Sequence, residues 1–181
     1  SVLSGALSIA REREEGTFDQ LLVAPYTPRE ILLGKGISTV ITSIMQTFFI
    51  VLVAMFWFRI PFQGSIWLLS GAILLFIITG AAIGLCISSF SQSLQQAIVG
   101  TFLLVVPTVM LSGFATPIPS MPEFFQDLTL LNPMRYGLEL IQRIFLEGAG
   151  FMDLWPLFGA ITLVTIGTAA AAIFSFHRKI S

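Results

Sequence analysis

Residues 66–88 read I-W-L-L-S-G-A-I-L-L-F-I-I-T-G-A-A-I-G-L-C-I-S, a run without a single Asp, Glu, Lys or Arg. An α-helix rises about 1.5 Å per residue, so this run can cross the roughly 30 Å hydrocarbon core of a bilayer with its backbone hydrogen bonds satisfied internally. Gly80 and Gly84 stand four residues apart on one helical face, a pair that lets a second helix approach closely. Working outward, residues 36–58 form another uncharged run, followed by 97–114 and 154–176. Thr39, Ser43, Gln46 and Thr47 share a face in the first, where polar groups either bond a neighbouring helix or line a path. Pro107 interrupts the run 97–114, with Thr101, Thr108 and Ser112 along one side; it is either a fixed kink or a hinge. Trp57 and Trp67 mark a common membrane interface, and Arg59 with Pro61 a turn.

The whole chain agrees with this reading. It is 55% hydrophobic and 10% charged, with a mean hydropathy of +0.91, which places it with polytopic membrane proteins. The expected fold class is all-α, a transmembrane helix bundle of four complete spans, with residues 1–10 as the end of a truncated span and the chain as a fragment. A formal net charge of −1 offers no basic excess for nucleic acid. Cys86, the one cysteine, cannot form an internal disulfide and reads as a packing residue.

Two stretches break the pattern. Residues 11–35, R-E-R-E-E-G-T-F-D-Q-L-L-V-A-P-Y-T-P-R-E-I-L-L-G-K, hold nine of the nineteen formal charges. Gly16 can end a preceding helix, Thr17 and Gln20 fit a capping box, and Pro25 stops the piece carrying Phe18, Leu21 and Leu22. Thr27 as N-cap, Pro28 at the first helical position and Glu30 at the third predict the start of a long helix. The stretch is either a solvated connection or a docking surface. Residues 115–152 form the second. Ser120 and Glu123 predict a capped short helix with Phe124, Phe125, Leu128 and Leu131 on its apolar side, and Asn132-Pro133 caps another that Gly148 closes. In that helix Met134, Leu138, Ile141 and Phe145 form one face, and Arg135, Glu139, Arg143 and Glu147 recur every four residues with alternating sign.

The stretch 11–35 resembles the signature of bacterial ABC-2 type transporter permeases, and L-T-L-L-N-P-M-R-Y-G-L-E (128–139) resembles the same family. The resemblance implies that 11–35 is the cytoplasmic coupling region. Arg11, Glu12, Arg13, Glu14, Glu15, Gly16 and Thr17 would contact a separate ABC ATPase subunit, and Phe18, Leu21 and Leu22 would form the apolar side of the coupling helix. It implies that 115–152 is an extracytoplasmic re-entrant helical hairpin, with Asn132, Pro133, Tyr136 and Glu139 as candidates for a gate, beside the alternative of a purely structural hairpin. A second permease chain, identical or related, would complete the pathway. ATP and Mg would sit on the ATPase, and no cofactor or metal is expected on this chain. The C-terminal pattern looks most like the drug-efflux type of Gram-negative inner membranes, which also works with a periplasmic adaptor.

Orientation and chemistry are consistent with that placement. Putting 11–35 and the C-terminus inside leaves six Lys or Arg there against Arg59, Arg135 and Arg143 outside. His177, the one histidine, stands at the end of the last span beside Arg178 and Lys179, and neither H-E-x-x-H nor G-x-S-x-G occurs. An enzyme is therefore not expected. The spans lack the ionisable residues that ion-coupled transport uses, and the chain lacks a nucleotide-binding G-x-x-x-x-G-K-[ST] motif. The expected function is the permease subunit of an ATP-driven exporter of drugs or other amphiphiles. Export of a lipid or polysaccharide precursor, or a non-transport membrane scaffold, are the alternatives.

Overall fold

A bilayer interior offers no water to a peptide group, so a chain this apolar satisfies its backbone by coiling on itself. The computed structural model describes residues 1–14, 28–57 and 63–180, and among them every regular element is helical. In chain order these are α1 (Val2–Glu14), α2 (Pro28–Phe56), α3 (Ile66–Phe90), α4 (Leu94–Met110), a 3-10 turn (Ile118–Ser120), α5 (Glu123–Thr129), α6 (Pro133–Gln142), a π turn (Arg143–Glu147) and α7 (Phe151–Ile180). The chain is thus an all-α polytopic membrane bundle, as its sequence predicts. Helix α2 opens on Pro28, whose fixed φ suits a first turn and whose missing N–H costs nothing there.

Three helices contain stretches long and apolar enough to cross a membrane: Leu33–Phe56, Ile66–Phe90 and Phe151–Phe174. At the expected span 97–114 the helix is α4, which begins earlier, at Leu94, and ends at Met110, 17 residues or about 25 Å of helix. It stops because the chain turns. Ser112 Oγ donates to the Val109 carbonyl at 2.7 Å and accepts from Phe114 N at 3.3 Å, and Gly113 takes φ +90, a left-handed angle that residues with a Cβ avoid.

The contacts divide the chain into two compact units. The first comprises Ser1–Ser43, Ile77–Leu104 and Thr165–Ser181, and its packing is built on small residues. A methyl group on Gly84 would lie 2.3 Å from the Val2 carbonyl oxygen, and one on Gly5 would lie 3.2 Å from the Gly84 Cα. The backbones of α1 and α3 therefore touch on the Gly80–Gly84 face that the sequence marks. Ala6 and Ala10 are fully buried, and Ser88 Oγ accepts from Ala10 N at 3.1 Å. Thr79 and Thr165 pair through their hydroxyls. Of the four-residue polar face of α2, Thr39 and Ser43 are buried while Gln46 is exposed, so that face divides rather than acting together.

The second unit comprises Ile44–Phe76 and Val105–Val164. Its core is Leu69, Ala72, Leu140, Ile144, Leu154 and Ile161. Gly137 faces the Phe76 ring so closely that a methyl group there would stand 2.3 Å from Cδ2. Gly137 and Leu140 of α6 and Ile144 of the π turn are buried here; of the face expected from spacing, Met134, Leu138, Ile141 and Phe145 are partly buried, and Ile141 and Phe145 pack against this core.

These contacts set a prediction for the full-length protein in mild detergent. Gly84→Leu should lower its stability by about 1–3 kcal/mol or more, because a rigid backbone oxygen blocks the new side chain, and a thermal melt with size-exclusion profile reads this. Gly71→Ala, with nothing within 4 Å of the added methyl, should stay within about 0.5 kcal/mol of wild type.

Candidate functional site

Two regions carry the charged and gate residues expected from sequence. The first begins in α1. Arg11 is exposed near the helix end, and Glu12, Arg13 and Glu14 complete the helix, their side chains lying outside the description. Glu15, Gly16, Thr17, Phe18, Leu21 and Leu22 lie outside the described residues, as do the Thr17/Gln20 and Thr27 caps, Pro25, Arg59 and Pro61. What the structure supplies is the frame on either side. Helix α1 rests on α3 through Gly5 and Gly84, and α2 approaches α3 where a methyl on Gly36 would meet Leu85 Cδ1 at 3.4 Å.

The second region, 111–148, is fully described, and the sequence is a partial guide to it. The Ser120–Glu123 capping box does not form. Ser120 belongs to the 3-10 turn, and α5 starts after Pro122 with no side-chain cap, since a proline ahead of Glu123 already fixes the entry angle. Helix α5 ends at Thr129, so Leu131 is in the connection and not on its apolar face. The Asn132-Pro133 start of α6 does form. Asn132 Oδ1 accepts from Met134 N at 3.0 Å, and its Nδ2 donates to the Thr108 carbonyl at 2.7 Å. One amide thus caps α6 and ties it to α4.

The other gate candidates are tethered too. Tyr136 OH donates to the Leu130 carbonyl at 2.6 Å, and Glu139 pairs with Arg143 at 2.8 Å. Arg135 Nη1 donates to Thr129 Oγ1, and its guanidinium lies 6.0 Å from the Tyr136 ring centre. The alternating ladder is therefore realised at one rung among the described residues. The π turn is the reason it ends. Arg143–Glu147 winds wider than an α-helix, which moves Glu147 off the four-residue repeat, and Gly148 at φ +63 closes the turn. Gln63 N uses the Phe145 carbonyl at 3.2 Å, while a methyl on Gly64 would lie 2.1 Å from the Ile144 carbonyl oxygen. Spacing gave no sign of this turn.

Beside α6 lies a cleft of about 210 Å³, bordered by Ser112, Gly113, Arg135, Glu139 and Gln142. Asn132, Pro133 and Tyr136 are outside its lining, so the structure brings Glu139 alone of the four gate candidates to it. Arg135 and Gln142 join it on the same side of the helix, four and three residues away. Among the described residues no group of His, Cys, Asp and Glu is disposed to hold a metal.

The ABC-2 type transporter family profile matches residues 1–146. The chain belongs to the ABC-2 type transporter family. Among curated relatives, "Probable multidrug ABC transporter permease YbhR" of Escherichia coli K12 is 35% identical over 175 residues, 97% of this chain and 48% of that protein. "Inner membrane transport permease YhhJ" of the same strain is 35% identical over 182 residues, 99% of this chain and 48% of that protein. "Linearmycin resistance permease protein LnrN" of Bacillus subtilis is 26% identical over 173 residues, 96% and 45% respectively. This ABC-2 chain therefore spans about half the length of the curated relatives it matches. The match covers both the charged stretch and most of the short-helix region.

Removal of the Asn132 amide tests how the short helices are held. Asn132→Ala should destabilise the full-length protein by about 1–2 kcal/mol, combining the lost cap with the lost bond to the part-buried Thr108 carbonyl. Asn132→Ser, which can still cap α6 but is too short to reach Thr108, should recover about half of that loss in a thermal melt.

Proposed function

We propose that this chain is part of the permease subunit of an ATP-driven exporter whose ATPase is a separate polypeptide, and that residues 11–35 are the surface the ATPase engages. The observation that carries this is the seating of the two helices that bracket the charged stretch. Helix α1 enters it with its backbone against α3 at Gly84, and α2 leaves it in contact with α3 at Leu85. A displacement of the stretch would reach the bundle through backbone contact on the α1 side and through the Leu85 side chain on the α2 side. Arg11, Glu12, Arg13, Glu14, Glu15, Gly16 and Thr17 form the contact in this reading, with Phe18, Leu21 and Leu22 holding the segment to the membrane face. ATP and Mg belong to the ATPase.

Family membership supports the remaining parts. Two permease chains would enclose the path, consistent with the strongly exposed apolar residues of α2 and α4 such as Met45, Phe49, Val99 and Leu103. The names of the relatives, multidrug permease and linearmycin resistance permease, favour drugs and other amphiphiles as cargo. The 11–35 stretch and the C-terminus would face the cytoplasm of a bacterial inner membrane, and the short helices α5 and α6 the outer side, where Glu139 and its cleft would border the exit. A periplasmic adaptor would complete the system in a Gram-negative cell.

The test is co-purification. The tagged full-length permease from solubilised membranes should bring down an ATPase subunit, and Glu14→Ala/Glu15→Ala should lower its recovery or the coupled ATP hydrolysis about tenfold at unchanged permease yield. Absence of any ATPase under several mild detergents would favour the scaffold reading. In cells lacking the gene, sensitivity to several unrelated drugs supports efflux, whereas a surface-glycan defect without it supports precursor export.

A further inference from the structure

The cleft beside α6 has an unbalanced charge. Glu139 is neutralised by Arg143 at 2.8 Å, whereas Arg135 has no carboxylate partner among the described residues: it donates to one neutral hydroxyl, Thr129 Oγ1, and lies against Tyr136. With Glu139 paired to Arg143, which is outside the lining, Arg135 is the charged group of the cleft left without an opposite charge beside it among the described residues. A guanidinium carries five N–H donors in a planar fork, and a single bond to Thr129 uses one of them. The cleft it borders also offers Gln142, whose amide N–H groups can donate to an anion without adding charge. Its volume, about 210 Å³, suits a phosphate-sized head with a short polar substituent.

Ile118, Pro119 and Leu138 give the lining of the cleft an apolar side. An occupant that placed an anion at Arg135 and hydrocarbon along these side chains would satisfy both. We infer that the cleft binds the phosphate of an anionic phospholipid head, with Arg135 as its principal contact and Gln142 at the rim. Glu139, held by Arg143, does not oppose the phosphate. The site would hold the short helices in one position against the bilayer, and it requires nothing of the transport reading, because it is defined by binding alone.

Binding of added phosphatidylglycerol to delipidated full-length protein, followed by native mass spectrometry, tests it. Wild type should retain phosphatidylglycerol in preference to phosphatidylcholine. Arg135→Gln should weaken retention about tenfold, as expected for loss of a charge-assisted fork. Gln142 is exposed, so Gln142→Glu should fold normally and weaken retention severalfold by placing an acid at the rim; it decides the matter where Arg135→Gln proves unstable. Unchanged retention in Gln142→Glu and Arg135→Gln, or no preference for the anionic lipid, would overturn the proposal. Displacement of the lipid by millimolar inorganic phosphate would overturn the lipid source and assign the cleft to free phosphate.

Discussion

The fold depends on the backbone contact between α1 and α3. Hydrophobic attraction does not drive helices together in a bilayer, because lipid tails are as apolar as leucine; close van der Waals contact and hydrogen bonds must do it. Gly5 against Gly84, backed by Ala6, Ala10 and the Ala10 N–Ser88 Oγ bond, supplies both at once. The proposed reading of the charged stretch between α1 and α2 as a handle rests on that seating. A connection anchored by long side chains would deform before it transmitted displacement.

In the second unit the same physics takes a different form. Short helices cannot bury enough surface to hold themselves, so their ends are tied by polar bonds to fixed backbone. Asn132 serves α6 and the Thr108 carbonyl together, Tyr136 returns to Leu130, and the widened turn at Arg143–Glu147 offers Phe145 to Gln63. Leu140 and Ile144 then fill the core with Leu69, Leu154 and Ile161. Of the charged residues in this unit, Arg135 and Glu139 line the cleft beside α6.

Much of this architecture is legible in the sequence. An uncharged run of some twenty residues is close to a threshold test for a span, and Pro28, Gly84, Asn132 and Gly148 each act through local backbone rules that a sequence displays. The buried face of α6 is not legible in the same way. On an amphipathic helix in a membrane protein, periodicity finds the apolar side but cannot say which part of it meets protein and which meets lipid, so Gly137 against the Phe76 ring and Leu140 in the core come only from three-dimensional packing. The end of α4 was equally hidden, because Ser112, Gly113 and the distant Asn132 together set it. The coupling role of Glu15 to Leu22, which lie outside the described residues, is a proposal that rests on the sequence resemblance.

Cysteine cross-linking in native membranes tests the α1–α3 seating most directly. With Cys86→Ser as background, Ala10→Cys paired with Ser88→Cys in the full-length protein should oxidise rapidly with a membrane-permeant oxidant, because Ser88 Oγ lies 3.1 Å from Ala10 N and disulfides need Cα atoms within about 7 Å. Mass spectrometry should find the linked peptide at high yield, while Leu3→Cys paired with Ile78→Cys, both on exposed faces, should give little. No Ala10–Ser88 linkage under conditions that oxidise exposed cysteines would contradict the seating of α1 and remove the physical basis for reading the charged stretch as a handle.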